Sequence, residues 1–503
     1  MSPPPLGYLL KSSASLSDKS GRVGVSLAFG PFGNLALGIL FFASLSFVHL
    51  LLGASPLVIL AAFGGATIAI VAVIRNPLEL GSWFTALTFV QMYGFAWVYK
   101  TILLVPLDQG LPAAETSMFW GLLIVIAAAI AHAVSRRVQR TSLLGYYYDT
   151  ATNWEACGTI LYCLGQVALI VDRLVNGGEE FTTGALSPIS FHVYSGIFLI
   201  SAAAAKSNRV FSPKLIAIFF IAFFETFLFN EKTQLVFCLA AIAVPLLTGA
   251  VDLAKKLVLV SVGFAVILIA NTVVFPAVHA MRDVDFKSKD LSTRLSMISS
   301  AIAMPNAFAE DARKRGDIWF ENTDFVPTDG YFLTRFGSLD YLAITLKYGD
   351  PGMYQMSPLA FVTECIRRAL PGSMLGEKDL HQLSDHLWYQ MDRRMRFISN
   401  TTMGPFGSAR LIFGDVSGYL IVTFEWCVVL TIGAFLFGTD IRKPIPQFFL
   451  VISLFLMLDA DVANTAVTAM RLIWQDAAII GIAGYLATMW KQQSTLIFAI
   501  RKN

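Results

Sequence analysis

The sequence predicts an all-α polytopic integral membrane protein of about twelve transmembrane helices, with one large, mostly helical loop between helices nine and ten. Three observations predict it. Only 14% of the 503 residues are charged, against about 25% in a soluble domain, and mean hydropathy is +0.64. Apolar runs of about 20 residues, enough to cross a hydrocarbon core, recur along the chain. Positive charge collects in alternate connections.

The runs lie at roughly 33–53, 56–74, 82–99, 115–134, 154–172, 189–205, 212–229, 233–252, 257–279, 411–437, 446–466 and 471–490. None has the ten-residue alternation of a barrel strand. The gap at 53–56 requires a very tight turn. Residues 1–32 carry Lys11, Lys19 and Arg22 and are too polar for a cleaved signal peptide, so they read as a cytoplasmic tail. With that end inside, the inner connections hold Arg75; Arg136, Arg137 and Arg140; Lys206, Arg209 and Lys214; Lys255 and Lys256; and Arg442 and Lys443. The tail at 491–503, with Lys491, Arg501 and Lys502, falls on the same side. The outer short connections hold Asp108, Glu115, Asp172, Glu179, Glu180, Asp459 and Asp461. That is the positive-inside pattern, and Trp83, Trp120, Trp154 and Trp490 near helix ends fit an aromatic belt.

This orientation divides the chain into helices one to nine at 33–280, an outer loop at 281–409, and helices ten to twelve at 410–490. The loop carries 31 of the 71 charged residues, 15 basic and 16 acidic, as a folded cap would. Helical apolar spacing recurs in it, and "SPLAFVTECIRRALPG" is expected to stop at Pro371 and Gly372. Four of five cysteines lie within predicted helices and Cys365 is alone in the loop, so no disulfide is expected there. No CxxC or HExxH occurs and the six histidines are scattered; no metal or cofactor is expected. Nor is a nucleic-acid partner.

Five passages carry the candidate chemistry. Arg367 and Arg368 end a short predicted helix; they either complement its dipole or, with Lys378 nearby, fork onto phosphate oxygens. In "FFETFLFNEKTQLV", Glu225 sits inside the outer end of helix seven and Lys232 opens helix eight. They either seal a short turn as an ion pair or act as base and phosphate anchor. "RFGSLDYLAITLKYGD" offers Arg335 and Asp340, five apart, on what is otherwise a solvated cap helix. "KDLHQLSDHLWYQMDRRMRF" offers His381 with Asp385 at i, i+4, and Arg394; an exposed amphipathic helix explains the same pattern. In "TTMGPFGSARLIFGDVSGYLIVTFEW", three glycines at 404, 407 and 414 permit close approach, and Arg410, Asp415 and Glu425 descend into helix ten. Helix packing is the simpler account of that passage.

In this order the passages resemble the oligosaccharide repeat-unit polymerases, the Wzy-type O-antigen polymerases of bacterial envelopes. "RFGSLDYLAIT" looks like the family's Arg-led helix, "IRRALPGSMLGEK" like its proline-arginine-lysine segment, and "TTMGPFGSARLIFGDVSGYL" like its Gly-rich re-entry. Lys232 stands where many members carry arginine, and Arg367 where proline is commoner. The spacings Arg173 to Gly184 and Arg393 to Gly404 fit the Arg-x10-Gly pattern of some members. The resemblance implies a metal-independent glycosyltransferase of the bacterial inner membrane whose large loop is periplasmic. It would move a growing glycan from undecaprenyl diphosphate onto the terminal sugar of a lipid-linked repeat unit. Glu225, Asp340 and His381 are the candidate catalytic groups. Lys232, Arg335, Arg367, Arg368, Lys378, Arg394 and Arg410 are the candidate diphosphate and glycan ligands. Implied partners are the lipid-linked glycans, membrane lipids, a chain-length regulator and a flippase. An O-antigen ligase shares the layout and donor. A twelve-helix transporter would show two similar halves, unlike nine helices before a cap and three after.

Overall fold

The computed structural model describes residues 31–111, 113–138, 142–144, 154–175, 187–228, 232–249, 251–269, 338–370, 404–458 and 461–502, with a few isolated positions besides. Among these residues the secondary structure is helical apart from one isolated bridge between Glu79 and Asp440. Among the described residues five helices are long and apolar enough to cross a membrane, and three shorter apolar helices accompany them.

Before the cap the helices follow the apolar runs closely. They are α1 Pro31–Leu51, α2 Pro56–Arg75, α3 Leu80–Phe89 and α4 Phe95–Ile102, the last two joined by a π-helical turn at Val90–Gly94. Then come α5 Ala114–Val138, α6 Trp154–Val175, a single helical turn at Ser187–Ser190, α7 His192–Lys206, α8 Pro213–Leu228, α9 Lys232–Thr248 and α10 Leu253–Ile269. The tight turn expected at 53–56 is present: Gly53 takes a left-handed φ of 96°, and Pro56 starts α2 where its missing N–H is not needed. Within 281–409, the stretch expected to form a cap, α11 Ser338–Tyr348 and α12 Pro358–Ala369 are described. Both fall within the stretches read as helical from their apolar spacing.

After the cap the structure corrects the expected boundaries. The run at 411–437 is two helices, α13 Gly404–Phe413 and α14 Asp415–Phe437, broken at Gly414 with φ 85°. Continuous apolarity across "LIF" concealed the break. The run at 446–466 ends early, as α15 Pro444–Leu458. The last run begins early: α16 Val462–Val467 passes through a π-helical turn at Thr468–Leu472 into α17 Ile473–Lys502. Asp461 sets that start, because its side chain caps α16 by accepting from Asn464 N at 2.8 Å.

Helices pack closely where side chains are small. A Cβ on Gly158 of α6 would lie 2.7 Å from the carbonyl oxygen of Gly196 in α7, so the two backbones touch directly. Hydrogen bonds among the connections gather at two ends of the bundle. At one end Ser55 N donates to Asp108 at 2.9 Å and Ser55 Oγ to Glu115 at 2.7 Å. Gly352 N and Tyr354 N there bond the carbonyls of Arg410 and Leu411 at 3.0 and 2.9 Å. At the other end Leu80 N bonds Thr439 O, Leu143 N bonds Phe435 O, and Lys255 reaches Asn208 O. This second end gathers Arg136, Lys206, Lys214, Lys255 and Arg442. Among the described connections, several that carry lysine and arginine thus lie together at this end.

Candidate functional site

Two guanidinium sites stand out, one on α12 and one on α13. The first is built on α12. Ser357 caps it by accepting from Ala360 N at 3.1 Å, and the helix ends at Ala369 with Leu370 extended before Pro371. Phe361 and Cys365, one turn apart, are its buried face, and Phe361 meets the Phe413 ring edge-on at 5.0 Å. On the last turn a single carboxylate serves both arginines. Glu364 accepts from Arg367 Nε and Nη2 at 2.9 and 3.1 Å, and from Arg368 Nε at 2.6 Å. Burial works to raise the Glu364 carboxyl, but the hydrogen bonds and charges of the two arginines outweigh it and hold it below the usual range. The Cys365 thiol, buried and near Glu425, is pushed up to about 12 and is therefore no nucleophile.

Arg368 then reaches out of its own helix. Its Nη1 donates to Asn464 Oδ1 at 3.3 Å and stands 3.5 Å from Asp461 Oδ2. Asp461 is fully buried at the broken start of α16, and Glu425 of α14 lies near enough for the two charges to interact. α13 completes this region. It doubles back along α14: Phe406 packs on Tyr419 and Trp426, and a Cβ on Gly418 would lie 2.7 Å from the Ala409 carbonyl carbon. Trp426 is eleven residues below Asp415, about 16 Å at 1.5 Å per residue, so α13 starts well inside the bundle. There the Leu458 carbonyl, at the end of α15, would lie 3.2 Å from a Cβ on Gly404. Ser408 Oγ accepts from Val462 N at 2.9 Å. The ends of α13, α15 and α16 therefore meet beneath α12.

The second cluster is Arg410. It is 7% exposed, and its Nη1 donates to Thr345 O at 3.0 Å and Gly349 O at 2.6 Å, tying down the C-terminal carbonyls of α11. Its Nε donates to Asp415 at 2.8 Å. The geometry gives Arg410 a structural task, whatever else it does.

The other expected residues are placed more sparsely. Glu225 is buried near the end of α8, where Gln166 of α6 donates to it. Lys232 begins α9 and Asp340 lies in the first turn of α11. Arg335, Lys378, His381 and Arg394 lie outside the described residues. The structure brings Arg367 and Arg368 together and sets Arg410, through α13, beside the same helix ends. Glu364 and Asn464 were not singled out from the sequence. E-x-x-R-R on a predicted helix carries the i, i+3 and i, i+4 spacing that signals the first; nothing local signals the second.

Among the described residues the protein is helical, with apolar helices that suit a membrane and with α12 docked on the ends of α13, α15 and α16. No protein-family model, curated protein or solved structure matches the chain.

Proposed function

We propose that the protein is a glycan polymerase of a bacterial inner membrane. It has twelve spans, cytoplasmic termini and a periplasmic cap, and it moves a growing glycan from undecaprenyl diphosphate onto a lipid-linked repeat unit. The observation that carries this reading is the last turn of α12. Two adjacent guanidinium groups are held there by Glu364, with Asp461 facing Arg368, at the end of the bundle opposite the lysine-rich connections. Arg367, with 35% of its side chain exposed, is the more accessible of the pair. Guanidinium forks suit a diphosphate, and fixed positive charge favours the anion that grows as the sugar–phosphate bond breaks. Glu364 holds the pair in one orientation, which keeps the cost of ordering the two side chains out of the binding step.

The test is the surface-polysaccharide ladder of a strain deleted for this protein and complemented with it. A polymerase defect leaves glycan capped with a single repeat unit. A ligase defect instead leaves lipid-linked polymer that never reaches its acceptor, and a transporter defect gives neither. Either of those last two outcomes overturns the proposal.

A further inference from the structure

We propose that Glu425 is the base that takes the proton of the acceptor sugar's hydroxyl, an inference that rests on the glycan-transfer reading above. A carboxylate eleven residues into an apolar 23-residue helix is costly to bury and ordinarily finds a partner. Glu425 is 8% exposed, and among the described residues its Oε2 has no hydrogen-bond partner. Its surroundings are polar nonetheless. The start of α16, with Asp461 and Asn464, and the α12 turn, with Cys365 and Arg368, converge on the same place.

The neighbouring acids are already committed. Asp461 Oδ1 caps α16 and its Oδ2 faces Arg368, while Glu364 carries both guanidinium groups. Glu225 is held by Gln166 on the α6–α8 side of the bundle. Glu425 Oε2 and Asp461 Oδ2 both lack a hydrogen bond among the described residues, but Asp461 Oδ2 faces Arg368 at 3.5 Å. That leaves Glu425 as the acid of this cluster with no guanidinium beside it, and so the one to accept from the sugar hydroxyl. In the step, the acceptor oxygen forms its bond to the donor's anomeric carbon as the bond from that carbon to the diphosphate oxygen breaks. The electron pair leaves on the diphosphate beside Arg367 and Arg368, and the hydroxyl proton passes to Glu425.

The test uses the full-length protein in nanodiscs with a chemically defined lipid-linked repeat unit. Glu425→Gln keeps the shape and removes the base. It should lower kcat by about 100–10,000-fold with KM changed less than about threefold. Glu425→Asp keeps the acid but shortens its reach, and should lower kcat by at least about tenfold. A merely structural glutamate would instead lower membrane abundance and thermal midpoint while leaving kcat per folded molecule intact. Wild-type kcat in Glu425→Gln overturns the inference and leaves the polymerase reading standing. If that variant does not accumulate, wild-type kcat in Glu425→Asp does the same. If the wild-type protein itself fails to elongate the repeat unit, the glycan-transfer reading falls and this inference falls with it.

Discussion

Arg410 gives the sharpest test of how α11 is held. Replacing it with Met keeps most of the stem but removes every donor. Two buried carbonyls, Thr345 O and Gly349 O, then lose their N–H partners. A buried acceptor left unsatisfied costs about 1–3 kcal/mol, so the pair accounts for about 2–6 kcal/mol. The broken ion pair adds little, because the Asp415 side chain is 51% exposed and water re-solvates it. Unfolding of the purified protein in mixed micelles under a denaturing-detergent titration measures the loss. Proteolysis of the 338–354 stretch should accelerate in parallel. Arg410→Lys should recover only part, since one ammonium lacks the planar fork that spans both carbonyls. In the double variant with Asp415→Asn, the coupling should stay below about 1 kcal/mol. Stability of Arg410→Met within about 0.5 kcal/mol of wild type would refute the reasoning. Loss of polymer at unchanged stability would instead make Arg410 a substrate ligand.

Reporter fusions after Lys256 should read cytoplasmic and fusions near Gly330 periplasmic; the reverse pattern would invert every side assigned here. Arg368→Ala should cost on the order of 100–1000-fold in elongation, with Arg368→Lys restoring part, and a full-length ladder from the Ala strain would remove Arg368 from the site. Glu364 makes stability depend on pH: its folded-state carboxyl is held below its unfolded value near about 4.3, so its contribution is complete above that value and lost as pH falls through the folded one. Glu364→Gln should therefore flatten the acid limb of the thermal midpoint between about pH 6 and pH 3, and an unchanged limb would sink that assignment. Gly418→Val should disrupt the α13–α14 contact, because even a Cβ there lies 2.7 Å from backbone; unchanged stability would contradict the close approach.

The positions of α1 to α10 were legible because each lies in an apolar run, α3 and α4 sharing one. The region after the cap was less legible because hydropathy averages over a window and does not register a single glycine at positive φ. "ARLIFGDVSGYLIV" therefore reads as one span although Gly414 divides it. The twin arginine was visible as an anomaly, and its helix and stop were read correctly from Pro371 and Gly372. Its partners were not. Glu364 lies within local reach, but Asp461 and Asn464 are more than 90 residues away in sequence, and only tertiary packing brings them to Arg368. Asp461 carried a local signal of its own, since Asp is a favoured residue at the start of a helix; the apolar run through it masked that start.

The π-helical turn at Thr468–Leu472 gives the last helix an internal phase shift. A π turn holds one residue more than the α turn it replaces, so the faces above and below it are out of step by about 100°. The upper segment can then point Asp461 and Asn464 toward the cap helix while the lower segment keeps Ile480, Ala483 and Ala487 in the core. Neither half of the sequence has to compromise for the other. Deleting one residue from that turn would leave a perfectly good helix and an apolar span of nearly the same length. It would also rotate the acid away from its arginine, uncoupling α12 from the last helix with neither partner's side chain changed.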